Sequence, residues 1–219
     1  MTDPLREVGD LVCFSVFTSS SIAAIVLLGV LVGAALERLS ARLSSGLPSA
    51  GRRTVAAAVI SGALAPFLAL SVRSGTQAAL AAVLLSVLFT AALTDLQTRR
   101  IPNCLTATGL ALIFAMTALL EPGFAAERLL FAFLVFTFFL TAALLRPGGL
   151  GLGDVKLVAV IGAALGAASV AAIGLALVIG ALASAAIVIA RGWAQARAVT
   201  LPLAPFLAAG SAIILLLGG

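Results

Sequence analysis

The stretch Gly148-Gly149-Leu150-Gly151-Leu152-Gly153-Asp154-Val155-Lys156-Leu157 lies between two long apolar runs, 128–145 and 155–190, and sets a carboxylate into a glycine-rich break between them. The runs decide the fold. About 20 consecutive apolar residues cross a bilayer as a helix, and working outward from the break gives such stretches at 15–36, 54–72, 76–94, 105–120, 128–145, 155–190 and 203–217. The run 155–190 is far too long for one crossing, and Gly166-Ala167-Ala168-Ser169 predicts a split near 166–170, which makes about eight spans. An ionisable group beside apolar runs of this length is costly, so Asp154 asks for a reason.

Composition fixes the surroundings. The 219 residues are 63% hydrophobic and only 10% charged, with a mean hydropathy of +1.27, whereas a soluble domain carries about a quarter charged residues. The expectation is an all-α, polytopic bundle in the lipid bilayer, one domain over residues 1–219. A pI near 11.0 comes without any basic stripe, so nucleic acid is not expected as a partner. Residues 1–10 carry both signs with no small-residue cleavage site after a short apolar core, so no cleavable signal peptide is expected. Cys13 and Cys104 are too few for a four-cysteine zinc site and read as packing residues.

Cytoplasmic loops collect Lys and Arg. With both termini outside, the inner connections hold Arg38, Arg42, Arg52, Arg53, Arg99, Arg100, Arg146, Lys156, Arg191 and Arg197, against Arg6, Arg73 and Arg128 outside. Ten against three favours that orientation and the split, because a single long helix would strand Arg191 and Arg197 on the wrong side. Gly162 with Gly166, and Gly174 with Gly180, read as small residues that let helices approach closely.

The chemical inventory narrows sharply. The chain has no histidine, which excludes His-based acid–base catalysis, Ser-His-Asp triads and HExxH metal sites; no metal is expected. Lys156 is the only lysine and sits two residues from Asp154. Only Glu37, Asp95 and Asp154 fall on the expected cytoplasmic side. Glu37 beside Arg38 reads as a solvated span end. Asp95 closes the 76–94 span, where an acid opposes the helix dipole; an i,i+4 pair with Arg99 is the plain structural account. Asp154 before Val155-Lys156-Leu157 also suits an N-cap, although a cap does not need glycines at 149, 151 and 153. Two aspartates entering from one membrane face suggest a shared site, in which one proton is held between two carboxylates and a water attacks a carbonyl. Glycines without Cβ would let the backbone there flex against an extended peptide.

These residues resemble the type IV prepilin peptidases, the GxGD class of membrane aspartic proteases. Gly151-Leu152-Gly153-Asp154 with Val155-Lys156-Leu157 is similar to the second-aspartate motif of that family. Asp95 with Arg100-Ile101-Pro102-Asn103 is similar to its first, and 201–210 resembles its final-span signature. Residues 29–39 resemble its first span more weakly. The resemblance implies Asp95 and Asp154 as the catalytic pair, with Gly151, Gly153, Lys156, Pro102 and Asn103 shaping the loops around substrate. It implies cleavage of basic leader peptides from prepilins or pseudopilins at the cytoplasmic face of the bacterial inner membrane; charge alone, apart from the resemblance, suggests Glu37 as a place where the leader's positive residues are held. Proteolysis of this kind needs no cofactor. The family's second activity, N-methylation with S-adenosylmethionine, goes with a cysteine-bearing insert after the first span, and here residues 37–53 form only a short basic loop. Two other readings compete: a small transporter using Asp95 and Asp154 as proton or cation sites, which predicts acids near the bilayer midplane, and a scaffold subunit without chemistry.

Overall fold

The computed structural model describes residues 75–146, 150–193 and 201–218. The spans expected at 15–36 and 54–72, the loop 37–53 and the orientation of the termini lie outside them. Among the described residues the chain is wholly helical: α1 (Gly75–Thr98), α2 (Asn103–Leu120), α3 (Ala125–Leu145), α4 (Leu152–Leu165), α5 (Ala168–Arg191) and α6 (Ala204–Leu216), with a 3₁₀ turn at Pro122–Phe124. Among the described residues four segments are long and apolar enough to cross a membrane: Thr76–Leu96, Asn103–Leu120, Pro122–Leu145 and Ala168–Arg191.

The predicted split of 155–190 falls at Gly166, which ends α4 with φ +54. Glycine alone takes that backbone shape without a Cβ penalty, and a Cβ there would also sit 3.0 Å from Glu127 Oε1. The α4 helix differs from a lipid-facing span. Its 14 residues rise only about 21 Å, and Val155 and every residue from Leu157 to Ala164 are buried. It is the central post of the bundle. Around it α1 is also largely buried, whereas α2, α3 and α5 turn Leu119, Phe133, Phe138, Leu182 and Ile189 outward. Such faces are unfavourable in water and ordinary against lipid tails.

Small residues let the posts close up. A Cβ on Gly162 would lie 2.7 Å from the Ala132 Cα and 2.9 Å from its amide nitrogen, so α3 and α4 touch backbone to backbone. On Gly210 it would overlap the Ala172 carbonyl oxygen and come within 2.8 Å of the Ala176 amide, locking α6 to α5. The other expected pair is less symmetrical: Gly180 meets the Phe206 ring at 3.4 Å, but nothing lies within 4 Å of Gly174. Gly162→Leu is therefore expected to prise α3 from α4 and destabilise the fold by about 1–3 kcal/mol, the range for overpacking. Thermal unfolding in detergent reads the loss, and an unchanged midpoint would contradict this packing.

The buried hydroxyls of α1 are satisfied locally. Ser86 donates to the Ala82 carbonyl at 2.7 Å, Thr90 to Ser86 at 2.7 Å and Thr94 to Thr90 at 2.9 Å, the back-bonding that lets short polar side chains sit in a helix. That row on α1 leads directly to Asp95. At the opposite end stands Arg128, the residue that opens the apolar run 128–145, and it is not a solvated charge. It lies in the first turn of α3, which begins at Ala125, and it is buried. Its Nη2 is 2.6 Å from Glu121 Oε2 and its Nη1 donates to Thr117 Oγ1 at 3.2 Å, while Thr76 donates to Glu121 Oε1 at 2.7 Å. This cluster staples α1, α2 and α3. Arg99, Arg100 and Arg146 follow helices, Lys156 lies near the start of α4 and Arg191 ends α5, all at the other end, the end that carries both aspartates.

Candidate active site

Asp95 stands in the last turn of α1 and is only 8% exposed. The helix stops at Arg99, whose φ of 52 is left-handed and whose amide donates to the Asp95 carbonyl at 2.9 Å. A non-glycine residue held there costs about 1–2 kcal/mol, and strain of this kind gathers at functional ends. The unfavourable dipole of α1 is answered by another helix. Asp95 Oδ2 accepts the amide N–H of Ala204 at 3.4 Å, the first residue of α6. The first amides of a helix lack internal partners and carry the positive end of its dipole, so α6 supplies the seat that α1 cannot.

Asp154 is the third residue of α4, whose N-cap is Gly151. The N-cap role suggested by sequence is therefore wrong by three positions: the chain enters the helix earlier, through the extended Gly151, and Asp154 lies in the first turn. Its carboxyl folds back toward Gly151, where a Cβ would approach Oδ2 to 3.2 Å. Its Oδ1 is buried and accepts no hydrogen bond from any described residue. An orphan buried acceptor calls for a proton or an incoming donor. Asp154 precedes the apolar run that begins at Val155. Burial raises its pKa to about 6, with the charge of Asp95 adding to the rise and the Gly151 amide opposing it. The two carboxyls therefore sense one another across α1 and α4, and charging one disfavours charging the other.

The glycines make room for close contacts. A Cβ on Gly153 would lie 3.0 Å from the Ile101 Cβ, so this glycine lets the α1–α2 connection press on the start of α4 and brings the two aspartate segments together. Gly151 leaves space for the Asp154 carboxyl, and residue 149 lies outside the described residues. Pro102, extended at φ −62 and ψ 132, is the N-cap of α2, and its carbonyl accepts the amides of Leu105 and Thr106. Lys156 Nζ donates to Asn103 Oδ1 at 2.8 Å, tying the first turns of α4 and α2. Asp95, Asp154, Gly151, Gly153, Pro102, Asn103 and Lys156 thus gather at one end of the bundle; Glu37 lies outside the described residues. Sequence reasoning from the residues themselves did not find Ala204 or Ile101. The signal for Ala204 was Pro205 at the second position of α6, because proline favours a first helical turn.

Two carboxyls that share a proton can act at once as acid and base on a water and a carbonyl. The sequence matches the type IV leader peptidase family over residues 82–217, a stretch that holds both aspartates and Ala204. No curated protein and no solved structure matches the chain.

Proposed function

The chain belongs to the type IV leader peptidase family, and from that membership we propose an aspartic endopeptidase in which Asp95 and Asp154 form the catalytic pair. Its substrates are prepilins or pseudopilins, cut at the cytoplasmic face of the bacterial inner membrane to release a basic leader. The observation that supports the pair is the influence of Asp95 on the ionisation of Asp154, together with the bare Oδ1 of the latter. Asp95 already accepts a hydrogen bond from Ala204, so it is the natural carboxylate. Asp154, with a raised pKa and an unpartnered oxygen, is the natural keeper of the proton.

The reaction then balances with no further reagent. Ionised Asp95 takes a proton from water as the oxygen attacks the scissile carbonyl, and Asp154 gives its proton to the carbonyl oxygen, leaving a tetrahedral diol. Collapse breaks the C–N bond: the proton gained by Asp95 passes to the leaving nitrogen, and a diol proton returns to Asp154. Methyl transfer with S-adenosylmethionine is no part of this cycle.

Cleavage of a prepilin by the protein in liposomes should follow a bell-shaped pH profile whose limbs belong to the pair. The sign follows from the shared proton. Because the Asp154 pKa is raised to about 6, the proton is lost above the ordinary carboxylate range; the pair becomes doubly ionised and the rate falls. On the acid side a second proton silences the base. Co-expression with a prepilin and a gel-shift readout gives the primary test: a leader left uncut by wild-type protein sinks the reading, and a rate that does not fall on the alkaline side sinks the shared proton.

A further inference from the structure

One side chain bridges the segments that carry the two aspartates. Ile101 lies in the connection from α1 to α2, and it covers the α-carbon of Gly153, the residue before Asp154: a Cβ on that glycine would meet Ile101 Cβ at 3.0 Å and its Cγ1 and Cδ1 at 3.5 Å. The sequence makes this connection stiff. Arg99 is left-handed at φ 52 and Pro102 is locked by its ring at φ −62. Ile101, as the residue before a proline, is confined to extended shapes, and its β-branched side chain has few rotamers. It is half-buried and packs on the core of the bundle. On the far side of Asp154, Val155 is buried, so the first turn of α4 is gripped from both flanks. A second link, Lys156 Nζ to Asn103 Oδ1 at 2.8 Å, joins the same two segments, but it is exposed and water can replace either partner.

We propose that Ile101 is a positioning residue: acting through Gly153, it holds the first turn of α4 against the end of α1 and so sets the spacing of the Asp95 and Asp154 carboxyls. The inference rests on the protease reading and adds to it the side chain that fixes the geometry of the pair. Two observations separate this role from ordinary core packing. The contact falls on the residue immediately before Asp154, a glycine with no side chain of its own to seat it, so any yielding of Ile101 reaches the carboxyl through one peptide unit. The spacing also has an electrical consequence, because Asp154 responds to the charge of Asp95. The other charged groups at this end are Arg99 and Arg100 after α1, Lys156 on α4 itself, Arg146 after α3 and Arg191 closing α5; α2 adds only the Cys104 thiol, and α6 has no titratable side chain. Once both carboxyls ionise, their repulsion drives the segments apart unless the connection resists.

The test follows Asp154 by NMR of carboxyl-labelled aspartate in micelles; the aspartates of the chain are Asp3, Asp10, Asp95 and Asp154, and Asp154→Asn identifies the signal. Ile101→Ala is expected to move the Asp154 titration to lower pH, because a slack connection lets the carboxyls separate and Asp95 then raises its partner less. It should also lower kcat for prepilin cleavage at least about tenfold while KM stays within about threefold, the pattern of misplaced groups rather than lost binding. In the Asp95→Asn background, where the second charge is gone, adding Ile101→Ala should leave the titration unmoved. Equal shifts in both backgrounds would mean that Ile101 only keeps water out, and would overturn the proposal, as would an Ile101→Ala protein with the kcat and titration of wild type. If alanine unfolds the protein, valine and leucine decide. Ile101→Val keeps the branch against Gly153 and should titrate as wild type, whereas Ile101→Leu keeps the volume, moves the branch outward and should titrate lower; identical behaviour of the two overturns the assignment. Wild-type protein that cuts no prepilin overturns the protease reading instead.

Discussion

Asp154→Asn and Asp95→Asn should each lower leader cleavage by at least about a thousandfold, within the range for losing a positioned general acid or base. Asparagine keeps the shape of the side chain and removes the exchangeable proton, so the loss reports chemistry. It also places no new charge in the buried site, so neither variant should unfold. The double variant should fall no further than the worse single one, because two groups that act as one unit do not contribute additively. Single-turnover cleavage of a detergent-solubilised prepilin is the measurement. If either single variant cuts within about tenfold of wild type, the aspartate pair is not the catalytic machinery.

Arg128→Met is expected to have the largest effect on stability, about 3–5 kcal/mol, the usual cost of breaking a buried ion pair from one side. The side chain is 10% exposed, as is that of its partner Glu121, and removing the guanidinium strands the carboxylate and the Thr117 hydroxyl that now serve it. Replacing the stranded charge as well, as Arg128→Met with Glu121→Gln, should restore a large part of the loss, since an uncharged pair has less to desolvate. Equilibrium unfolding in mixed micelles distinguishes the two. A single variant as stable as wild type would mean that the cluster does not hold α1, α2 and α3 together.

Hydropathy made much of this legible, and particular residues show where it stopped. The helices α2, α3 and α5 begin and end within a few residues of the apolar runs, and the break at Gly166 was marked by a glycine among small residues. Both aspartates stood out because an acid is conspicuous in a chain with so few charges. Hydropathy does not separate a helix wrapped by protein from one wrapped by lipid, however, and so α4 read as an ordinary span. Charge counting set Arg128 at the start of its span but gave no sign of its burial, because the partner that neutralises it, Glu121, lies seven residues back. Asp154 read as an N-cap because Gly151, which fills that position, has no side chain to announce it. The Ala204 amide was hidden for a deeper reason: a backbone donor has no letter of its own, and only the prolines around it hinted that a helix begins there.

That amide ties the first aspartate to the end of the chain. Asp95 and Ala204 lie 109 positions apart, so as the polypeptide emerges from the ribosome the acid is made long before the helix end that seats it. During synthesis the carboxyl must wait through four intervening helices, beside a partner aspartate that has also arrived early. The seat of Asp95 is completed only when α6 is in place, so the activity proposed for the pair is expected to appear last in the assembly of the chain.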